Sequence, residues 1–241
     1  MPINFAQLFQ DSWNFMRNQS HFSLFALGLV LLAQIGHFFA TPQLSLSSTE
    51  ADFAGQGQDL PTILPTLLFG VLNLLITILI ILNIRQINQG QFKSFFAPLG
   101  QSLAAFFPVV VITIVSAIPL SIGFAMLLTS RDLAILALPV LITGVFVFIK
   151  FSLAHYVYLL ESPQRGIGQT LKETWGLSRG KMFPLILFCV INYMLPSILL
   201  NLLTASGNQV VDMLALLVNA FISVFTLIFS FRFYQVYRQG A

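Results

Sequence analysis

Lys150 is the one charged residue well inside an apolar stretch of this chain. It is therefore the first candidate for a functional side chain. A charge at the centre of a bilayer costs about 3 kcal/mol on insertion scales unless it is relieved, and such charges often mark ion or substrate paths. Thr143 lies seven residues earlier on the same helical face and could extend a polar path. The structural alternative is that the lysine extends its ammonium toward headgroups or a backbone carbonyl.

A polar stripe also follows one face of the last apolar stretch. It consists of Asp212, Asn219, Ser223, Thr226 and Ser230. Asn73 and Thr77 form a smaller stripe earlier in the chain. Such residues bond neighbouring membrane helices, typically with about 0.6 kcal/mol each, so helix packing is favoured over a polar cavity. A row of small residues predicts a close helix approach: Ala117, Ser121 and Ala125.

The sequence offers no set of residues for catalysis, cofactor binding or metal binding. His21, His37 and His155 are scattered, and Cys189 is the only cysteine. No HExxH motif, phosphate-binding loop or paired cysteine accompanies them. We therefore expect that the protein binds neither a cofactor nor a metal and that it is not an enzyme.

The composition is that of a membrane protein. Hydrophobic residues make up 57% of the chain, charged residues make up only 8%, and the mean hydropathy is +0.88. Soluble domains carry about 25% charged residues. The basic balance does not indicate nucleic acid, because the positive charges are dispersed on short segments between apolar stretches.

Six apolar stretches are long enough to cross a bilayer as helices, since about 20 residues suffice. They cover residues 22–40, 62–84, 103–128, 133–160, 183–203 and 210–231. We predict an all-α, six-helix transmembrane bundle that forms a single integral membrane domain over residues 1–241. Residues 41–61 would form an external loop.

Basic residues predict the orientation of this bundle. With six spans both termini share one side, which would carry nine basic residues against one, Arg131, on the other. The nine are Arg17, Arg85, Lys93, Arg165, Lys172, Arg179, Lys181, Arg232 and Arg238. Because basic residues favour the cytoplasmic side, both termini should be cytoplasmic.

Three cytoplasmic segments share a short pattern that predicts an internal repeat. The pattern is a charged residue followed by a hydroxyl residue and an aromatic residue, and each copy precedes a pair of spans. The aromatic residues of the three copies are Trp13, Phe95 and Trp175. We predict three units, each an interfacial helix plus a transmembrane hairpin, with the helices at residues 4–17, 91–97 and 166–179. These segments would either serve only as collars that orient each hairpin or form a surface for lipid or a cytoplasmic partner. Chance similarity of three short motifs is the remaining alternative.

The chain resembles the YciC-like family of multi-pass inner-membrane proteins of Gram-negative bacteria. The resemblance rests on SWNFMRN at 12–18, FIKFSLA at 148–154, LESP at 160–163 and TWGLSRGK at 174–181. It implies a bacterial inner-membrane location, but no activity and no catalytic residues.

These features predict a non-enzymatic inner-membrane protein with a supporting role in envelope or membrane homeostasis. Its expected partners are membrane lipids, with anionic headgroups at the cytoplasmic face, and not nucleic acid. The alternative is a small permease or lipid-handling protein that uses Lys150 and the polar face of the sixth span. An enzyme comes third.

Overall fold

A computed structural model describes residues 3–40, 60–129, 134–161, 166–205 and 209–240. All regular secondary structure within these ranges is helical, and six segments are long and apolar enough to cross a membrane. These are Ser20–Ala40, Leu64–Asn88, Leu99–Leu128, Ile135–Leu160, Met182–Thr204 and Val210–Gln239. The predicted six-span, all-α architecture is confirmed. Most of the predicted external loop, residues 41–59, lies outside the described ranges.

The helices are numbered in chain order. They are α1 Phe5–Asn18, α2 Ser20–Ala40, α3 Leu60–Asn88, α4 Leu99–Thr129, α5 Ala134–Phe151, α6 Ala154–Leu160, α7 Ile167–Leu177, α8 Met182–Cys189, α9 Leu195–Thr204 and α10 Gln209–Gln239. A π-helical turn, Val190–Met194, joins α8 to α9. The start of α1 is set by Asn4, whose side-chain oxygen accepts the Gln7 N–H at 3.2 Å.

Packing is concentrated at one end of the bundle, which we call the collar end because α1, α7 and the C-terminus of α10 lie there. Every residue from Ile78 to Ile84 in α3 is buried, so this half of α3 is surrounded on all sides. Its neighbours are α2, α4, α6 and α10. In the other half of α3, by contrast, Leu64, Leu67 and Leu68 are each more than 60% exposed. The opposite ends of the helices therefore present mainly apolar surface to the bilayer.

Helix α1 is docked against the second half of α10 by a ladder of aromatic rings. The ring pairs, with centroid distances, are Phe5–Phe233 at 5.7 Å, Phe9–Phe229 at 4.8 Å, Phe9–Phe225 at 6.0 Å and Trp13–Phe221 at 6.2 Å. The pairs ascend along α1 and descend along α10, so the two helices run in opposite directions. Such ring pairs add about 0.5–1.5 kcal/mol each beyond their buried area.

Two spans are interrupted near the polar residues of interest. The fourth span breaks at Ser152 and Leu153, where the Ser152 N–H bonds the Ile149 carbonyl three residues back at 3.3 Å. The fifth span widens into the π turn just before Pro196. Because proline has no N–H and its ring crowds the carbonyl four residues earlier, the helix changes its hydrogen-bond register there. That carbonyl belongs to Asn192.

The predicted interfacial helix at residues 91–97 is wrong. Gln91–Ser94 are irregular and residues 95–98 form a turn, closed by an Ala97 N–H to Ser94 carbonyl bond of 3.1 Å. The physical reason lies at both ends of the segment. Gly90 ends α3 in the left-handed region with φ +68°, and Pro98 cannot continue a helix from before it.

The threefold repeat is not confirmed. The first and third motifs share a buried hydroxyl that bonds the carbonyl four residues earlier, Ser12 to Leu8 and Thr174 to Thr170, each at 2.7 Å. Each is followed by an exposed tryptophan. In the second motif the pattern of burial is reversed. The hydroxyl residue Ser94 is exposed, and the aromatic residue Phe95 is only 8% exposed.

Helices α4 and α5 approach each other most closely at Gly144. A Cβ added there would lie 2.7 Å from both the N and the Cα of Leu120. The predicted small-residue row does not make this approach, because Ser121 and Ala125 are exposed.

Candidate functional site

Lys150 is 7% exposed, and its ammonium lies between two aromatic rings. The Nζ atom is 5.5 Å from the ring centroid of Phe146 and 5.2 Å from that of Trp175. Phe151 also packs against this indole, with the ring centroids 5.5 Å apart. The lysine thus points from the end of α5 to α7 and is screened from lipid. A desolvated cation over an aromatic face gains about 2 kcal/mol, which offsets much of the cost of its burial.

Thr143 is exposed, and its hydroxyl donates to the Pro139 carbonyl at 2.8 Å. It is seven residues from Lys150, or about 10 Å along the helix. No contact in the described structure joins the two side chains, so the geometry offers no support for a shared polar path.

The polar residues of α10 and α3 differ in how far they are buried. Asn219, Ser223 and Thr226 are half-buried, whereas Ser230 is buried next to the Tyr156 side chain of α6. Asn73 is exposed. The stripe therefore ends in an interhelical contact at the collar end, as packing residues do.

His155 is also engaged within the bundle. Its Nε2 atom is 2.8 Å from the hydroxyl of Thr113, which itself donates to the Val109 carbonyl. This contact links α6 to α4. Among the residues the structure describes, no three histidine, cysteine or acidic side chains meet as metal ligands.

Charged groups at the collar end tie the spans together. Glu161 accepts a 2.7 Å hydrogen bond from the Tyr234 hydroxyl and forms a 3.0 Å ion pair with Arg238. Arg85 donates from Nη1 to the Leu159 carbonyl at 3.0 Å. The network joins the end of the fourth span to α3 and to the last turns of α10.

Two polar grooves open at the collar end. The α1 groove, of about 430 Å³, lies between α1 and α10 and is lined by Asp11, Asn14, Phe15, Asn18, Gln19 and Arg232. The α7 groove, of about 340 Å³, lies between α7, α8 and the end of α10 and is lined by Glu173, Gly176, Leu177, Arg179, Lys181 and Arg238. Arg232 stacks over the Phe15 ring at 5.3 Å in the first groove. Three cations and one carboxylate line the second, which suits it to anions.

The sequence placed Lys181 among the nine orienting charges and in the TWGLSRGK segment, but assigned it no site. Its Nζ is buried with no hydrogen-bond partner in the described part of the chain, and it lies 6.0 Å from the Tyr237 ring centroid. Its place in the TWGLSRGK segment, after a glycine and before an apolar helix, was the available signal. Asn192 was missed altogether: it is 7% exposed, and neither its amide nitrogen nor its oxygen has a partner among the described residues. The nearby Pro196 could have drawn attention to it.

Comparison with known proteins gives similarity without a function. An uncharacterized protein of Haemophilus influenzae is 28% identical over 247 aligned residues, which cover 98% of this chain and 99% of that protein. No family model matches the chain, and no solved structure matches it. Membership of the YciC-like family therefore stays a prediction.

Proposed function

We propose that this multi-pass membrane protein lies in a bacterial inner membrane with both termini in the cytoplasm. We further propose that it has a non-enzymatic, supporting role in membrane or envelope homeostasis. The nine-to-one distribution of basic residues supports the orientation. The similarity to a protein of Gram-negative Haemophilus influenzae supports the setting.

The contact between Lys150 and Trp175 carries the non-enzymatic part of the proposal. A lysine that serves a transport path or a reaction must reach a substrate, but this ammonium is covered by two rings. Two other polar contacts of the spans, Tyr234–Glu161 and Thr113–His155, likewise join one helical segment to another. Polar chemistry in this bundle stabilises the collar end.

The role in the membrane follows from the two unequal halves of the bundle. The collar end is densely packed and positively charged, so it suits the headgroup region of an anionic leaflet. The opposite half exposes apolar side chains to acyl chains. We propose membrane lipids, with anionic headgroups at the collar face, as the partners of this protein.

Complementation of a deletion strain tests this proposal. Loss of the protein should increase the uptake of a hydrophobic dye through the envelope, and the wild-type chain should reverse the change. Lys150→Leu should complement as well, because its ammonium contacts rings and not a substrate. A Lys150→Leu protein that is expressed and thermally stable but fails to complement, while Lys150→Arg succeeds, would contradict the proposed role.

A small permease or lipid-handling protein remains the second candidate, and Asn192 is the observation that favours it. An amide with neither atom partnered in a membrane interior costs several kcal/mol, and π turns are frequent at functional sites. Asn192→Leu separates the two candidates. If the amide binds a transported molecule, this variant should fail to complement while its unfolding temperature is unchanged. If the amide binds nothing, the variant should be more stable than the wild-type protein and should complement fully.

A further inference from the structure

We propose that the α7 groove binds the phosphate of an anionic phospholipid, with Lys181 as its central contact. This deepens the membrane role proposed above and rests on it, because it names the lipid class and the site. Arg179, Lys181 and Arg238 supply three positive charges to the groove, against one negative charge from Glu173. The ion pair of Arg238 with Glu161 still leaves a net positive charge. A phosphodiester carries the single negative charge that this balance accommodates.

Lys181 is the group that points to a ligand. Its Nζ is excluded from solvent yet has no hydrogen-bond partner among the described residues. An ammonium without a hydrogen-bond partner keeps part of its desolvation cost, and a phosphate oxygen would relieve that cost by a charge-assisted hydrogen bond once the flexible side chain turns into the groove. No carboxylate is recorded in an ion pair with it within the described chain.

The walls around Lys181 are fixed before any ligand arrives. The Tyr237 hydroxyl lies 3.2 Å from both the Leu177 and the Lys181 carbonyl oxygens, and its ring lies under the ammonium. Arg238 is held by Glu161 at 3.0 Å. Because Tyr237 and Arg238 are already oriented, only the Lys181 side chain has to turn toward the ligand, so little entropy is lost on binding.

The N-terminus of α8 lies beside the same groove. Lys181 occupies the N-cap position of α8, and no side chain caps that end. Gly180, with φ +72°, turns the chain so that α8 begins there. The first N–H groups of a helix have no intrahelical acceptor and favour a negative charge.

The surroundings favour a lipid over free phosphate. Phe183, two residues after Lys181, is 75% exposed, and Ile186 on the same helix is 43% exposed. A molecule with its phosphate on Lys181 would therefore have an apolar helix surface beside it for its acyl chains. Basic pockets beside membrane helices bind anionic lipid headgroups in this manner.

Native mass spectrometry of the purified full-length protein in detergent tests the site. Phosphatidylglycerol should remain bound at lower concentrations than zwitterionic phosphatidylethanolamine. Lys181→Gln should weaken phosphatidylglycerol binding about tenfold, as the loss of one charge-assisted hydrogen bond implies, and Lys181→Arg should retain it. The matched control is Lys172→Gln, since Lys172 is an exposed lysine of α7 that does not line the groove.

Each other result counts against the proposal. Equal binding of the two lipids, or an equal loss in Lys172→Gln, would show general surface charge instead of a site. Displacement of the lipid by inorganic phosphate alone at millimolar concentration would make this a free-phosphate site. If Lys181→Gln unfolds, Arg179→Gln replaces it, because Arg179 lines the groove and is exposed, so we expect its loss to leave the fold intact. Since binding in detergent does not depend on orientation, a reversed topology would refute the proposed location and leave this test standing.

Discussion

The Nζ atom of Lys150 lies 5.2 Å from the centroid of the Trp175 ring. The contact joins a charge inside the fourth span to the aromatic residue of the third sequence motif, two features that the sequence presented separately. It also fixes α7 against the end of α5. Lys150 and α7 therefore act as one structural unit at the collar end.

A double-mutant cycle should measure this coupling. Trp175→Leu leaves a buried ammonium with only one of its two rings, that of Phe146, and should destabilise the protein by about 2 kcal/mol. Lys150→Leu removes both the charge and its desolvation cost, so its effect should be small. The double variant should be more stable than the two single effects predict, by about 1–2 kcal/mol of coupling. Unfolding in one detergent measures this, and strict additivity would show that the contact contributes nothing.

Gly144→Ala should destabilise the α4–α5 hairpin by about 1–3 kcal/mol, since overpacking against backbone cannot be relieved by a side-chain rotation. The added Cβ would lie 2.7 Å from the backbone of Leu120. Gly70→Ala in α3 is the matched control, because nothing lies within 4 Å of its added Cβ. We expect the control to be neutral or slightly stabilised, and thermal unfolding distinguishes the two. Equal melting temperatures would contradict the close approach.

Tyr234→Phe should cost about 1.5–3 kcal/mol, as hydrogen bonds to charged groups typically contribute. Its hydroxyl is 2.7 Å from Glu161, and the residue is 5% exposed. Arg238→Gln should cost less, about 0–1 kcal/mol, because its side chain is 40% exposed and the ion pair is screened by solvent. The reverse order of the two effects in denaturant unfolding would mean that the ion pair dominates.

Reporter fusions should place the loop of the first hairpin and the C-terminus on opposite sides of the membrane. A reporter inserted after Gln58 should be external, and one placed after Gln239 should be cytoplasmic, because basic residues concentrate at the collar end. Protease protection of the same fusions in vesicles provides an independent measurement. If both reporters lie on one side, the six-span topology fails.

The sequence determined the helical spans because hydropathy acts residue by residue. A run of about 20 apolar residues must form a helix in a bilayer, where every backbone polar group needs a partner within the segment. Local rules also set the start of α1, through the Asn4 cap, and a helix at 167–177. The same logic failed at residues 91–97, where the aromatic spacing looked helical but Gly90 and Pro98 did not permit a helix.

Only the tertiary structure decided which polar residues meet. Lys150 and Trp175 belong to different helices, and the α7 groove combines residues from 173 to 238. Ser230 lies next to Tyr156, whereas Asn73, which the sequence marked equally as a polar position within a span, is exposed. The physical reason is that a span's apolar run fixes its length but not its rotation about its own axis or its depth beside its neighbours. Those two quantities depend on close contacts such as Gly144 with Leu120 and the ring ladder between α1 and α10, and they decide which side chains face one another.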